Sequence, residues 1–582
     1  GRFRLAFNGE IYNFRELRSA LEKSGHRFVG HSDTEVLLGA FEEWGICQAI
    51  ARCVGMFAIA VWDRSERRLT LARDRFGEKP LYYGLIGSTL VFGSEIKSLR
   101  GHPCWQCEVD RGALALLLRH NYIPAPYSIY RDILKLAPGT TMSVTRAQLQ
   151  GQDLPSPVAY WSAKDMAENG LAGQFHGGDA DAVDRLDAML RDTISLQMVA
   201  DVPLGAFLSG GVDSSTVVSI MQALAKQPVR TFTIGFAEAG FDEAGHAKAV
   251  ASHLGTDHTE LYVTPADARD VIPRLPFLYD EPFADSSQIP TFLVAQLARR
   301  HVTVCLSGDA GDEMFGGYVR HVWAKKLWNR IAWAPAGVRK TLASVLHAVP
   351  PTRWDRLLGG VSGFLPANLR LAHGGDKIHK LARVLAEESP EALYRGLISH
   401  VDDPAAMVPG ADEPPTVLTD ITQWASLPDI TDRIMFLDSV SYLPDDILVK
   451  VDRASMGVSL ETRVPFLDHR IGEFAWSLPL RMKIRDGVGK WILRRVLNRY
   501  VPDDLVSRPK AGFAIPIDAW LRGPLKGWAE ALLDEGRLQK EAFFDPRPVR
   551  KLWDEHASGR RNCQGPLWSV LMFQAWLESQ GA

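Results

Sequence analysis

The sequence predicts an α+β amino-terminal domain followed by a doubly wound parallel α/β sheet with a mostly helical extension. Three observations carry that prediction. Short apolar strands set off by Gly, Asp and Pro turns fill the first part of the chain. From about Asp184, apolar strands alternate with long amphipathic segments, as parallel strands covered by helices do. After about Gly317 the strand pattern gives way to helical spacing rich in Trp, Leu and Arg.

Taken in order, the first part holds strand patterns at Leu5–Phe7, Met56–Trp62, Leu69–Arg73, Leu81–Leu85 and Leu90–Gly93. A polar, Gly-rich stretch over 148–181 is expected to be a linker, dividing a domain at 1–147 from one at 182–582. The second part opens its sheet with Ala206–Leu208, Thr231–Phe236 and Val302–Leu306. The chain has no initiator Met and opens inside a predicted strand, so further residues are expected ahead of Gly1.

Composition narrows the function classes. The 582 residues carry a formal net charge of -3, which provides no global field to recruit nucleic acid or an anionic membrane. No apolar run reaches the roughly 18 residues that span a bilayer. The first residues lack a signal-peptide pattern. The 6 cysteines are too sparse for a disulfide framework, so a reducing cytoplasm is the expected location. Cys104 and Cys107 form one CxxC without a second pair or paired His, and they read as ordinary thiols.

Gly205-Ala-Phe-Leu-Ser-Gly-Gly-Val-Asp-Ser-Ser215 reads as strand, glycine-rich loop and helix start. Gly210 and Gly211 let backbone N–H groups approach an anion. Ser209, Ser214 and Ser215 add hydroxyls, and the helix N-terminus adds about 0.3–1 kcal/mol of favourable dipole. The Gly-Lys-Ser/Thr ending of a Walker loop is missing. Asp213 instead faces the expected anion, which is repulsive unless Mg²⁺ bridges it to phosphate. A second loop, Ser307-Gly-Asp-Ala-Gly-Asp-Glu313, follows a buried-strand pattern and supplies Asp309, Asp312 and Glu313. Loops after adjacent parallel strands converge at one sheet edge, so the two loops are expected to share one site.

SGGVDSS, FTIGF, DEPFADSSQIP and SGDAGDEMFGGY together resemble the synthetase domain of glutamine-dependent asparagine synthetases, members of the N-type ATP-pyrophosphatase group. The likeness continues through LPDDILVKVDRASMGVSLETRVPFLDHRI, GKWILRR and RPKAGFAIP. The resemblance implies ATP and Mg²⁺ as cofactors, cleavage to AMP and pyrophosphate, and an acyl-adenylate attacked by ammonia. It places pyrophosphate on the Ser209–Ser215 loop, Mg²⁺ on Asp213 and Asp312, and adenosine against Leu208, Ile234, Ser307 and Gly308. Lys490 is implied at the α-phosphate, and Asp309 in adenylate formation. Asp445, Asp446, Asp452 and Arg453 are expected to form a buried network shaping the pocket. Position 309 is Asp where some asparagine synthetases have Glu, and Ala310 stands where Gly is common. The acceptor therefore stays open between aspartate and another carboxylate, such as a uronic-acid sugar.

Near the amino terminus, NGEIYNF, SDTEVLL, GMFAIAVWD, ARDRFGEKPLYY and FGSEIKSL resemble the N-terminal-nucleophile glutaminase domain of the same family. By itself Asn-Gly is a common turn dipeptide. The resemblance makes Asn8 and Gly9 an oxyanion hole and Glu10 and Asp33 the ligands of the glutamine α-amino group. The family's nucleophile is an N-terminal Cys, expected ahead of Gly1. Cys47 and Cys53 read as core thiols. Ammonia set free in bulk water at neutral pH is protonated, so a protein-lined passage between the two sites is expected. The implied partners are small molecules, with no nucleic acid and no membrane, and the oligomeric state stays open, with a homodimer as one option.

Overall fold

Antiparallel pairing builds the first part of the protein. Strand β1 (Phe3–Ile11) pairs with β2 (Gly55–Asp63), β2 with β3 (Arg68–Arg73), β3 with β7 (Thr140–Thr145) and β7 with the short β8 (Val158–Ala159). A second sheet places β4 (Tyr82–Ile86) between β5 (Thr89–Gly93) and β6 (Ile133–Lys135). Strand β2 is apolar without alternation because both of its faces are covered. Phe57, Ile59 and Val61 pack with Leu21, Leu37 and Phe41 of the helices Phe14–Lys23 and Asp33–Trp44. Ala58 and Ala60 face the other way, towards Leu81, Tyr83 and Met142. The layering is helix, sheet, sheet. The structure is a computed structural model, and it describes residues 1–151, 154–236, 244–349, 353–354, 374–506 and 515–581.

The second part is centred on a five-stranded sheet in the order β11-β10-β9-β12-β13, with every pairing parallel. Its strands are β9 (Leu204–Phe207), β10 (Arg230–Phe236), β11 (Asp257–Val263), β12 (Val304–Leu306) and β13 (Glu461–Arg463). Helices cover both faces, Val212–Leu224 and Asp179–Gln197 on one and Gln288–Arg299 on the other. Strand β13 comes from within the helical region, where a strand was not expected, and completes the sheet edge beside β12. Most of RPKAGFAIP falls in 507–514, outside the described residues.

The stretch expected to be a linker, 148–181, contains an anchored helix. Ser162 caps Ala163–Ala172 by accepting from the Asp165 N–H. The helix buries Met166, Ala167 and Gly170, and a Cβ on Gly170 would lie 2.7 Å from the Trp476 carbonyl carbon in the helix His469–Ser477. Polar composition in this stretch marks the outer face of a packed helix.

The two parts share one core and several buried ion pairs. Tyr82, Leu114 and Ile133 from the first part join Phe283, Trp520 and Trp576 from the second. Lys79 Nζ lies 2.9 Å from Asp452, and Lys135 Nζ lies 2.6 Å from Glu281. Asp445 accepts from the Ala125 N–H at 3.0 Å, and Arg453 donates to the Ser94 carbonyl at 2.8 Å. Asp445, Asp452 and Arg453, expected to shape the nucleotide pocket, therefore tie the two halves together. Among the four, only Asp446 faces that pocket's neighbourhood, beside Asp285 and Lys450.

Candidate functional site

Strands β9 and β12 are direct neighbours, Ala206 pairing with Leu306, so the two loops expected to share a site leave the sheet side by side. The first turns back at Gly210, whose φ of +73° and close approach to the Ala247 backbone leave no room for a Cβ. Gly211 then starts the helix Val212–Leu224. Ser209 and Ser214 hold each other, Oγ to Oγ at 3.0 Å, and Ser209 Oγ accepts from the Gly211 N–H at 3.3 Å. The second loop passes Ala310 at φ +68° and starts the short helix Gly311–Phe315. An alanine in that region carries about 1–2 kcal/mol of strain that glycine would not.

The carboxylates at the starts of these two helices converge on one cation. Lys490 Nζ is 2.6 Å from Asp312 and in direct contact with Asp213. Lys490 is buried at 6% exposure and holds φ +58° as it opens the helix Trp491–Leu497. Burial works to discharge the ammonium, but Asp213 and Asp312 outweigh it and raise its pKa. Gly317 makes the junction possible, because a Cβ there would fall 2.0 Å from both Asp312 Oδ1 and Lys490 Cε. The structure thus brings Asp213, Asp312 and Lys490 to one point.

A cavity of about 500 Å³ opens beside this junction. Leu208, Ser209, Gly211, Asp213 and Ser214 line it from the first loop, and Ser307, Gly308, Asp309 and Asp312 from the second. Ile234 of β10 lines it as well. Gly210 and Ser215 do not: Gly210 turns the chain behind the loop, and Ser215 is wholly buried in the helix. Asp309 accepts from the Ser307 hydroxyl. Glu313 lines the same cavity, accepts from Tyr318 Oη at 2.7 Å, and is pushed up to about 7 by burial and by Asp312.

Lys450 is a lining residue that sequence reasoning missed. Its ammonium lies 2.8 Å from Asp285, whose pKa it pulls down to about 2 against the effect of burial. Only its place in LPDDILVKVDR could have flagged it, since a single helix lysine has no pattern of its own. Asp285, Ser286 and Tyr442 separate this cavity from a larger one of about 860 Å³ and line both. Among the described residues no group of three or more His, Cys, Asp or Glu side chains is placed to hold a metal ion alone. Asp213 and Asp312 fit the role of two protein ligands to a cation that takes its other oxygens from phosphate and water, the usual habit of Mg²⁺.

The amino-terminal candidates also come together, with one change of local structure. Asn8, Gly9 and Glu10 all lie inside β1, opposite Ala58, Phe57 and Met56, so the Asn-Gly pair is strand and not turn. Asn8 Nδ2 donates to Ser94 Oγ at 3.0 Å, and the carbonyl of Ser94 is held by Arg453 of the second part. Asp33 accepts from the Ile11 N–H at 3.0 Å, directly after Glu10. Burial raises Glu10 to about 7, with Arg463 opposing and Asp33, Glu461 and Asp201 reinforcing the rise. Cys53 is a buried core thiol as expected, whereas Cys47 is exposed on the helix Ile46–Arg52, which buries Ala49 and Ile50 instead.

Sequence profiles of two families match this chain, "Asparagine synthase" over residues 185–578 and "Glutamine amidotransferase domain" over residues 1–161. "Asparagine synthetase [glutamine-hydrolyzing] 1" of Bacillus subtilis (strain 168) is 32% identical over 578 residues, covering 98% of this chain and 85% of that protein. "Putative asparagine synthetase [glutamine-hydrolyzing]" of Mycobacterium bovis is 33% identical over 589 residues, covering 99% and 84%. "Amidase chry2" of Gibberella zeae is 24% identical over 584 residues, covering 94% and 82%.

Proposed function

Because this chain belongs to the asparagine synthase family and carries the glutamine amidotransferase domain, we propose that it makes asparagine from L-aspartate, L-glutamine and ATP. The observation that carries the reading is the convergence of Asp213, Asp312 and Lys490 beside the Ser209–Ser214 loop. In the first step an acceptor carboxylate oxygen attacks the α-phosphorus and pyrophosphate leaves. Lys490 faces the charge that grows there, and preorganised charge of this kind lowers the barrier most where water is excluded. The Ser209–Ser214 loop and the helix behind it hold the departing phosphates. Asp213 and Asp312 would hold Mg²⁺, which would supply charge neutralisation for the phosphates. Ammonia then attacks the acyl carbon, loses a proton and expels AMP.

The ammonia comes from glutamine in the first part of the protein. Asn8 Nδ2 and the Gly9 N–H serve as oxyanion donors, and Glu10 and Asp33 receive the α-ammonium group. The contact from Asn8 through Ser94 to Arg453 supports a sheltered route between the sites. A second reading keeps this chemistry but takes a larger carboxylate, such as a uronic-acid sugar. The 860 Å³ cavity behind Asp285, Ser286 and Tyr442 favours it, since a free amino acid leaves most of that volume empty. Pyrophosphate release by the full-length protein with ATP and ammonium, compared over aspartate and sugar acids, tests both. Saturable release with aspartate supports the first reading. Release with sugar acids alone supports the second, and none with any carboxylate refutes the synthetase assignment.

A further inference from the structure

Arg463 ends β13 and is 3% exposed, and its contacts reach both candidate sites. Three of them anchor it in the second part: Nη1 donates to the carbonyls of Gln197 at 2.8 Å and Val199 at 2.7 Å, and Nε to Glu461 at 2.7 Å. The remaining nitrogen, Nη2, faces the first part and lies 3.5 Å from Glu10 Oε2. The guanidinium carbon also sits 5.6 Å from the centre of the Tyr12 ring. On the backbone side, the Arg463 carbonyl accepts from the Ser307 N–H at 2.9 Å, and the Ser307 hydroxyl donates to Asp309.

We propose that Arg463 is a positioning residue that couples occupancy of the glutamine site to the geometry of the Ser307–Asp309 loop. The inference rests on Glu10 as the ligand of the α-ammonium group, as proposed above. When that ammonium arrives, it competes with the guanidinium for the same carboxylate. The guanidinium loses its contact with Glu10 across the boundary, while its three other bonds keep it tied to β13 and the Gln197–Val199 turn. Any readjustment therefore passes into the three-residue strand whose carbonyl holds Ser307. A change at one site that alters the free energy of the other is reciprocal by necessity.

The test uses binding alone. ATP affinity of the full-length protein is measured by calorimetry without acceptor, with and without saturating L-glutamate, which keeps the α-ammonium group but cannot be hydrolysed. The expected result is a shift in the ATP Kd of at least about fivefold, with glutamate affinity shifting by the same factor when ATP is added. In R463K, which is too short to keep all of these contacts, ATP binding without glutamate persists and the shift falls to about one. Equal ATP affinity with and without glutamate in the unaltered protein overturns the coupling, whether or not the variant folds. So does a shift that survives in R463K. Failure of ammonium-driven pyrophosphate release would strike at the proposed reaction and leave this binding result standing.

Discussion

At the scale of single residues, Lys490 is the group on which most depends. It neutralises two carboxylates that would otherwise repel each other in a largely buried site. Replacing it by Met is expected to lower pyrophosphate formation by about 100-fold or more. The same change leaves the acidic pair uncompensated, at a cost of about 3–5 kcal/mol. Mg²⁺ should therefore raise the melting temperature of K490M more than that of the parent, which calorimetric scans with and without the ion will show. Glu10 gives a pH prediction. Because burial raises its carboxyl to about 7, the group is mostly neutral below that pH and offers no charge to an α-ammonium. Arg463 opposes the rise, while Asp33, Glu461 and Asp201 face the group and add to it. The KM for glutamine should fall as pH increases through about 7 and then level off, measured by glutamate release from the full-length protein. A flat profile from pH 5 to 9, on the order of two units either side, would separate Glu10 from glutamine binding.

At the scale of elements, the helix Ala163–Ala172 is held in a defined place by the approach of Gly170 to the Trp476 backbone. Backbone cannot swing aside as a flexible side chain can, so Gly170→Val should cost about 1–3 kcal/mol by overpacking. Denaturant titration checks this, and an unchanged midpoint would mean that the segment is loosely attached after all. The long apolar runs were legible from sequence: β2, β3 and β10 lie where their patterns put them. Strands β11 and β13 were not. Asp257–Val263 is a polar edge strand with little alternation, and Glu461-Thr-Arg463 has three residues with charges at both ends. Neither has a period to detect: β11 is mostly exposed or half-buried along its length, and β13 is buried but too short to show alternation. The loops carrying Asp213 and Asp312 stood out through glycine and acid spacing. Arg463 and Lys450 did not, since the contacts that give them meaning, to Glu10, Gln197 and Val199 and to Asp285, lie far along the chain.

At the scale of the whole molecule, the two parts meet through buried charge as well as through a shared apolar core. The Lys79–Asp452 pair, both members nearly inaccessible, is the clearest instance. Lys79→Met should destabilise the protein by about 3–5 kcal/mol, because Asp452 is left charged and buried. In the full-length protein it should also lower the amide formed per glutamate released, a ratio that assays of both products give directly. An unchanged ratio would show that the proposed passage does not depend on how the halves are registered. The sheet order has a different consequence, one for biosynthesis. Strand β12 lies between β9 and β13, yet Leu306 and its neighbour Arg463 are separated by most of the helical region. A ribosome delivers the chain from its amino terminus at roughly 5–20 residues per second. During that interval β12 is an open edge with unpaired backbone groups, and the acidic loop after it lacks the carbonyl that later holds Ser307. The proposed nucleotide site is thus finished by one of the later segments to emerge, and a nascent chain halted before Glu461 would expose a strand edge ready to pair with another copy.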